Sequence, residues 1–155
     1  MKPIDETDKK ILSYLLKDGK LSNTVLANRL NLSPVAVFKR INKLKDAGII
    51  KSTQIELDLK KLGFNTCAFI GIQIALVGKS SHSKVFEAIK NIPEVVESHH
   101  VSGRYSLFIK VVAKDNEDLK DIIVNKIQSI EGVVSTETFI SLEKGFVRTV
   151  DVSIL

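Results

Sequence analysis

The sequence predicts an α+β chain in two parts, three helices followed by a βαββαβ unit, and three observations carry that prediction. Apolar residues recur at helical spacing between cap residues over positions 5–48. After Lys60-Lys61-Leu62-Gly63 the pattern changes to long β-type runs. Within this second part an offset of 38 residues superimposes one half on the other: Phe69-Ile70 on Leu107-Phe108, Val85-Phe86 on Ile123-Val124, Ile89 on Ile127, and Ile92-Pro-Glu-Val95-Val96 on Ile130-Glu-Gly-Val133-Val134.

The first helix opens near Asp5, whose carboxylate can accept from free N–H groups, and Asp8 adds negative charge to its first turn. Ile11, Leu12, Leu15 and Leu16 fall on one stripe, and Gly19 ends the segment. Ser22 caps a second helix expected to bury Val25, Leu26 and Leu30. After the very short break Asn31-Leu32, Ser33-Pro34 restarts the chain as a cap followed by a proline that needs no N–H partner. The third helix is expected to bury Val37, Ile41 and Leu44 and to stop at Gly48.

Two short helices joined by a tight turn, with a third in front, present the last helix to the major groove of DNA. With Val37 at the centre of the buried face and about 100° per residue, the opposite face of that helix collects Val35, Ala36, Lys39, Asn42 and Lys43. Small residues at its start allow close approach to base edges, lysines reach phosphates, and Asn or Lys can bond to bases. Arg40 borders the stripe, able either to grip a phosphate or to bond within the domain. Asn23 and Thr24 at the start of the second helix and Ser33 before the third complete the candidate DNA-binding set. Thr53, Ile55 and Leu57 alternate as a strand would, serving as a wing or a tether.

In the second part, strands are predicted over Phe64–Val77, Val95–Ser102, Tyr105–Ala113 and Val133–Leu142. Helices are predicted over Ser83–Ile92, burying Val85, Phe86 and Ile89, and over Leu119–Ile130, with Ile122, Ile123 and Ile127 inward. This double βαβ order defines a ferredoxin-like sheet with both helices on one face. Phe69, Leu76 and Phe108 leave the other face partly apolar, so it is expected to be covered by a second copy of the chain. The domains are thus residues 1–58 and 59–155.

Charge placement supports a phosphate-binding first part. Residues 1–58 hold 11 Lys/Arg against 7 Asp/Glu, and residues 59–155 hold 12 against 11, so +4 of the net +5 lies in the first third. No run reaches the roughly 18 apolar residues of a membrane span, and the opening residues lack the apolar core of a signal peptide, so a cytoplasmic chain with no membrane partner is expected. The single cysteine, Cys67, lies in an apolar run and reads as packing. Gly78-Lys79-Ser80 resembles a phosphate loop, but Gln73 stands where that motif needs its first glycine. His99 and His100 point to opposite faces of a strand, which disfavours a metal site. No catalytic constellation, metal or cofactor is expected.

Taken together, these residues resemble the Lrp/AsnC family, the leucine-responsive and asparagine-operon (feast/famine) regulators. The match runs through Asp5-x-x-Asp8-x-x-Ile11-Leu12, Asp18-Gly19-Lys20-Leu21-Ser22-Asn23, Leu26-Ala27, Leu32-Ser33 and Arg40-Ile41-x-x-Leu44-x-x-x-Gly48-x-Ile50. It continues in Pro93-x-Val95, Gly103-x-Tyr105 and Gly132-Val133 leading to Thr136-x-Thr138. The resemblance implies an N-terminal winged helix-turn-helix, a C-terminal domain for dimerisation and effector binding, double-stranded DNA as partner, homodimers assembling to tetramers or octamers, and amino-acid sensing. It places a candidate effector site at Val101, Ser102, Gly103, Arg104, Tyr105 and Ser106 with Thr136 and Thr138. The family commonly carries G-x-x-D on that loop, where this chain reads Gly103-Arg104-Tyr105-Ser106. Ser106 cannot supply the carboxylate that suits an ammonium group. Two other readings use the same residues. One is an architectural protein that coats DNA without an effector. The other is an enzyme resembling the sirohaem decarboxylases related to the family, with His99, His100, Arg104 and Tyr105 recruited.

Overall fold

A computed structural model describes residues 4–75 and 79–154 and divides the chain into two compact units, residues 1–56 with 146–155, and residues 57–145. Leu76 and Gly78, singled out above, lie outside the described residues.

The first unit holds three helices, α1 (Glu6–Lys17), α2 (Asn23–Leu30) and α3 (Pro34–Asp46). Each starts at an anticipated cap. Asp5 and Asp8 form a reciprocal capping box, the Ser22 hydroxyl accepts from the Val25 N–H at 3.3 Å, and the Ser33 hydroxyl accepts from the Ala36 N–H at 3.1 Å. Between α2 and α3 the chain turns on Asn31, in the left-handed conformation at φ 53, a state whose steric cost Asn tolerates better than most residues. Ile11, Leu12, Leu26, Ala27, Val37, Ile41 and Leu44 form the core. Val25 is exposed, and Ala27 takes the inward place on α2. Leu16 is likewise exposed.

Two expectations for this unit are corrected. Residues 51–58 form no strand, because they have no ladder partner among the described residues; Ile55 is 76% exposed and Leu57 is also exposed. The domain boundary also moves. The segment 146–155 joins the first unit rather than the second, and Val152 at the head of a short 3₁₀ turn (Val152–Ile154) packs into the three-helix core. Val150, Val152 and Ile154 alternate near the end of the sequence, and that alternation does not single out Val152 as the one that turns inward.

The second unit is β1 (Thr66–Ile74), α4 (Lys79–Lys90), β2 (Val95–His100), β3 (Leu107–Ala113), α5 (Asn116–Asp121) and β4 (Val133–Ile140). The sheet runs in the order β2-β3-β1-β4 and all neighbours are antiparallel, as a ferredoxin-like βαββαβ unit requires. Without a break α5 widens into a π-helical turn over Ile122–Ile127, where the Gln128 N–H reaches back to the Ile123 carbonyl at 2.8 Å. Ala68, Ile70, Ile72, Leu107, Ile109 and Val111 bury one sheet face with Val85 and Ile89 of α4 and with Leu119, Ile122 and Ile127. The other face carries Phe69, Phe108 and Phe139. Phe69 stacks on Phe108 and Phe139 tilts against it, each with ring centroids 6.3 Å apart. Phe69 is 36% and Phe139 46% exposed, so this face is partly apolar and, among the described residues, uncovered. Among the described residues no helix is long and apolar enough to cross a membrane.

Candidate nucleic-acid interface and effector loop

Helix α3 is held by Val37, Ile41 and Leu44, all buried, and this fixes what it offers to solvent. Val35, Lys39 and Lys43 are exposed, and Ala36, Arg40 and Asn42 half-buried. Lys39 has no ion-pair or hydrogen-bond partner among the described residues, so its ammonium is available to a phosphate. Thr24 is exposed and Asn23 half-buried in the first turn of α2, while Ser33 is exposed with its oxygen engaged in capping.

Arg40 has a different role. Its Nη1 donates to Asp5 Oδ2 at 2.6 Å and to Asp8 Oδ1 at 2.7 Å, tying α3 to the start of α1. Asp8 is fully buried, also accepting from the Asp5 N–H and lying 3.4 Å from Lys43 Nζ. The hydrogen bond from Arg40 holds the Asp5 carboxyl below its ordinary pKa, with the Asp8 backbone N–H acting in the same direction. Of the two roles open to Arg40 in the sequence, the domain-internal one is thus occupied. Lys43 is shared between Asp8 and solvent.

Sequence reasoning missed one feature of this helix. Phe38, next to the buried Val37, is 52% exposed on the flank that also carries Asn42 and Val35. The signal was available, since a rotation of about 100° from Val37 carries Phe38 off the buried stripe.

The candidate effector loop joins β2 to β3. Gly103 takes φ +135, a region open mainly to glycine, and permits the reversal. The Ser106 N–H donates to the Ile72 carbonyl at 2.9 Å and its own carbonyl accepts from the Val101 N–H at 3.2 Å, which pins the loop to β1. Tyr105 lies flat over Gly71, where a Cβ would come within 2.7 Å of the ring. The Arg104 guanidinium sits 5.5 Å from the Tyr105 ring centroid and 3.4 Å from the Glu137 carboxylate. Its backbone carbonyl accepts from Gln73 Nε2, and the Gln73 carbonyl oxygen accepts from the Ser135 hydroxyl. Val101 and Ser102 are exposed.

Thr136 and Thr138 do not join this group. Register pairs them with Ile72 and Ile70, on the helix-covered face, and the Thr136 hydroxyl accepts from Gln128 Nε2 at 2.8 Å. Glu137 lies between them on the opposite face, with Arg104 and Tyr105. Within one chain the eight candidate effector residues therefore divide between two faces of the sheet. His99 pairs with Glu97 at 2.7 Å, and His100, on the other face, packs against Phe86. Among the described residues no group of three or more His, Cys, Asp or Glu side chains is placed to hold a metal ion.

A capped helix-turn-helix carrying a solvent-facing basic helix, followed by a ferredoxin-like unit, defines a DNA-binding regulator of two domains. Residues 4–51 match the winged helix-turn-helix DNA-binding family and residues 67–150 the Lrp/AsnC ligand binding domain. The chain is 36% identical to the regulatory protein AsnC of Haemophilus influenzae over 97% of its length and 99% of that protein's. It is 38% identical to the transcriptional regulator LrpA of Pyrococcus horikoshii, over 91% and 98%. Among solved structures, Escherichia coli AsnC superimposes with a TM-score of 0.88 at 33% identity, over 96% and 99% of the two chains. A Neisseria meningitidis transcriptional regulator solved in complex with L-methionine superimposes with a TM-score of 0.90 at 25% identity, over 95% of each. The chain belongs to the Lrp/AsnC family of DNA-binding transcriptional regulators.

Proposed function

We propose that this regulator works as a homodimer or a higher assembly of dimers in the cytoplasm, placing paired α3 helices on a roughly two-fold-symmetric operator with half-sites about one helical turn apart. The observation that carries this reading is the exposed Lys39, with Lys43 and Asn42 beside it, on a helix whose opposite face is locked by Val37, Ile41 and Leu44. Lysines on one face neutralise phosphates and fix position, while Asn42, Ala36 and Val35 face base edges. The uncovered Phe69–Phe108–Phe139 face supports self-association, since a contiguous aromatic patch is stabilised by burial against a second copy.

An amino acid is the effector class we propose, on the strength of the methionine complex of the Neisseria relative. Arg104 and the loop N–H groups near Gly103 suit its carboxylate. Selection of bound sites from random DNA, with and without a mixture of amino acids, tests both parts. A defined palindromic site whose occupancy shifts with amino acids is the expected result. Uniform retention of all sequences would overturn operator recognition, and indifference to every amino acid would overturn the effector assignment.

A further inference from the structure

We infer that Val35 and Phe38 read thymine methyl groups in the major groove, so that the operator carries thymines beneath the first two turns of α3. This rests on the proposal that α3 is the recognition helix. Val35 is 62% and Phe38 52% exposed, and they stand three residues apart, neighbours on the helix surface. By helical rotation they lie with Asn42 on one flank of α3, running from Phe38 beside the Val37–Ile41–Leu44 core to Val35 on the side turned from it.

The charge around this flank points to one occupant. Lys39 and Lys43 run along its edge beyond Val35, a surface complementary to a polyanion. Asp46, the acidic residue of α3, lies at the far end of the helix, which confines close approach to the first turns. Phosphates offer nothing to a phenyl ring or an isopropyl group, and the C–H surface of deoxyribose is the same at every position. Base edges in the major groove present hydrogen-bonding groups, together with one apolar group, the C5 methyl of thymine, which apolar side chains contact. An apolar flank edged by lysines therefore fits thymine, with Lys39 and Lys43 holding the register and Asn42 left to hydrogen-bond an adjacent base.

The test uses the full chain and an operator obtained by selection from random DNA. Each thymine is replaced in turn by deoxyuridine, which pairs as thymine does and lacks only the methyl. We expect one or two positions in each half-site where the replacement weakens binding by about fourfold per methyl, the effect of one apolar carbon lost from a contact. Phe38→Ala and Val35→Ala should each bind more weakly and lose discrimination between thymine and uracil at one of those positions. Lys39→Ala should weaken both DNAs equally. Because the decisive change is made on the DNA, the result does not depend on how a variant folds. An operator whose affinity is unmoved by uracil at every position overturns the inference while leaving operator recognition intact. Discrimination that persists unchanged in both Phe38→Ala and Val35→Ala overturns it as well. A chain that enriches no sequence overturns the recognition-helix reading and this inference together.

Discussion

Arg40 on α3 closes over Asp8 on α1, its guanidinium nitrogen 2.7 Å from a carboxylate that has no exposed surface. A buried anion is tolerated only while its partners remain. Arg40→Ala should therefore destabilise the first unit by about 2–4 kcal/mol, below the value for a fully buried pair because Arg40 is partly exposed and Lys43 stays close to Asp8. Thermal unfolding should show the loss, and DNA binding should fall with the folded fraction. A variant of native stability that binds DNA poorly would instead assign Arg40 to a phosphate.

Acid should weaken both units through two named pairs. Arg40 holds the Asp5 carboxyl below its ordinary pKa, and the Lys126 ammonium, 2.6 Å away, does the same for Glu94. A carboxylate depressed in the folded state stabilises at pH above its unfolded value of about 4, and that contribution is lost as pH falls through the lower folded value. Stability should accordingly be level at neutral pH and decline below about pH 4. Asp5→Asn and Glu94→Gln should each flatten the decline; an unchanged acid limb in both would refute the pairs as its source.

Lys39 and Ile41 should separate binding from folding. Lys39→Ala should lower operator affinity and reduce the salt dependence by about one unit of slope, with normal thermal stability. Ile41→Ala, at a buried position, should cost roughly 2–5 kcal/mol. Lys43→Ala should affect both measurements, because its ammonium also faces Asp8. Normal affinity and slope in a Lys39→Ala/Lys43→Ala double variant would reject the assigned face.

Self-association should reside in residues 57–145. Sedimentation of that fragment should give a dimer, and Phe69→Glu with Phe139→Glu on the uncovered face should return it to a monomer. A folded, monomeric 57–145 fragment would contradict the proposal. Residues 1–58 alone should be less stable than the same unit in the full chain, since Val152→Ala by itself should cost about 1.5–3 kcal/mol.

Plain aliphatic amino acids should bind weakly or not at all. Ser106 provides no carboxylate for an ammonium group, and the nearby Glu137 carboxylate is already paired with Arg104. Calorimetry should show glutamine, with its polar side chain, accepted in preference to leucine or isoleucine, and Ser106→Asp should strengthen ammonium recognition. Tight leucine binding by the unaltered chain would end this argument.

What the sequence made legible follows from which interactions are periodic. Caps at Asp5, Ser22 and Ser33, the stripe Val37–Ile41–Leu44 and the 38-residue repeat are local or repetitive signals, and the structure forms each of them. The Arg40–Asp8 pair joins residues 32 apart, and nothing in either neighbourhood announces it. Thr53, Ile55 and Leu57 alternate as a strand does, but alternation creates a strand only where another strand supplies the ladder. The family resemblance groups Thr136 and Thr138 with Arg104; the two-residue period of β4 puts them on the other face and brings Glu137 forward instead.

The return of residues 146–155 to the helical unit makes that unit discontinuous, with the whole of 57–145 inserted between its parts. During synthesis the three helices emerge first, yet the core they share with Val152 stays open until the sheet domain has been made. The DNA-binding unit therefore completes last, by closing a long loop, although it is encoded first. A nascent chain halted after Gly145 would carry a finished sheet domain joined to an incompletely packed reading head.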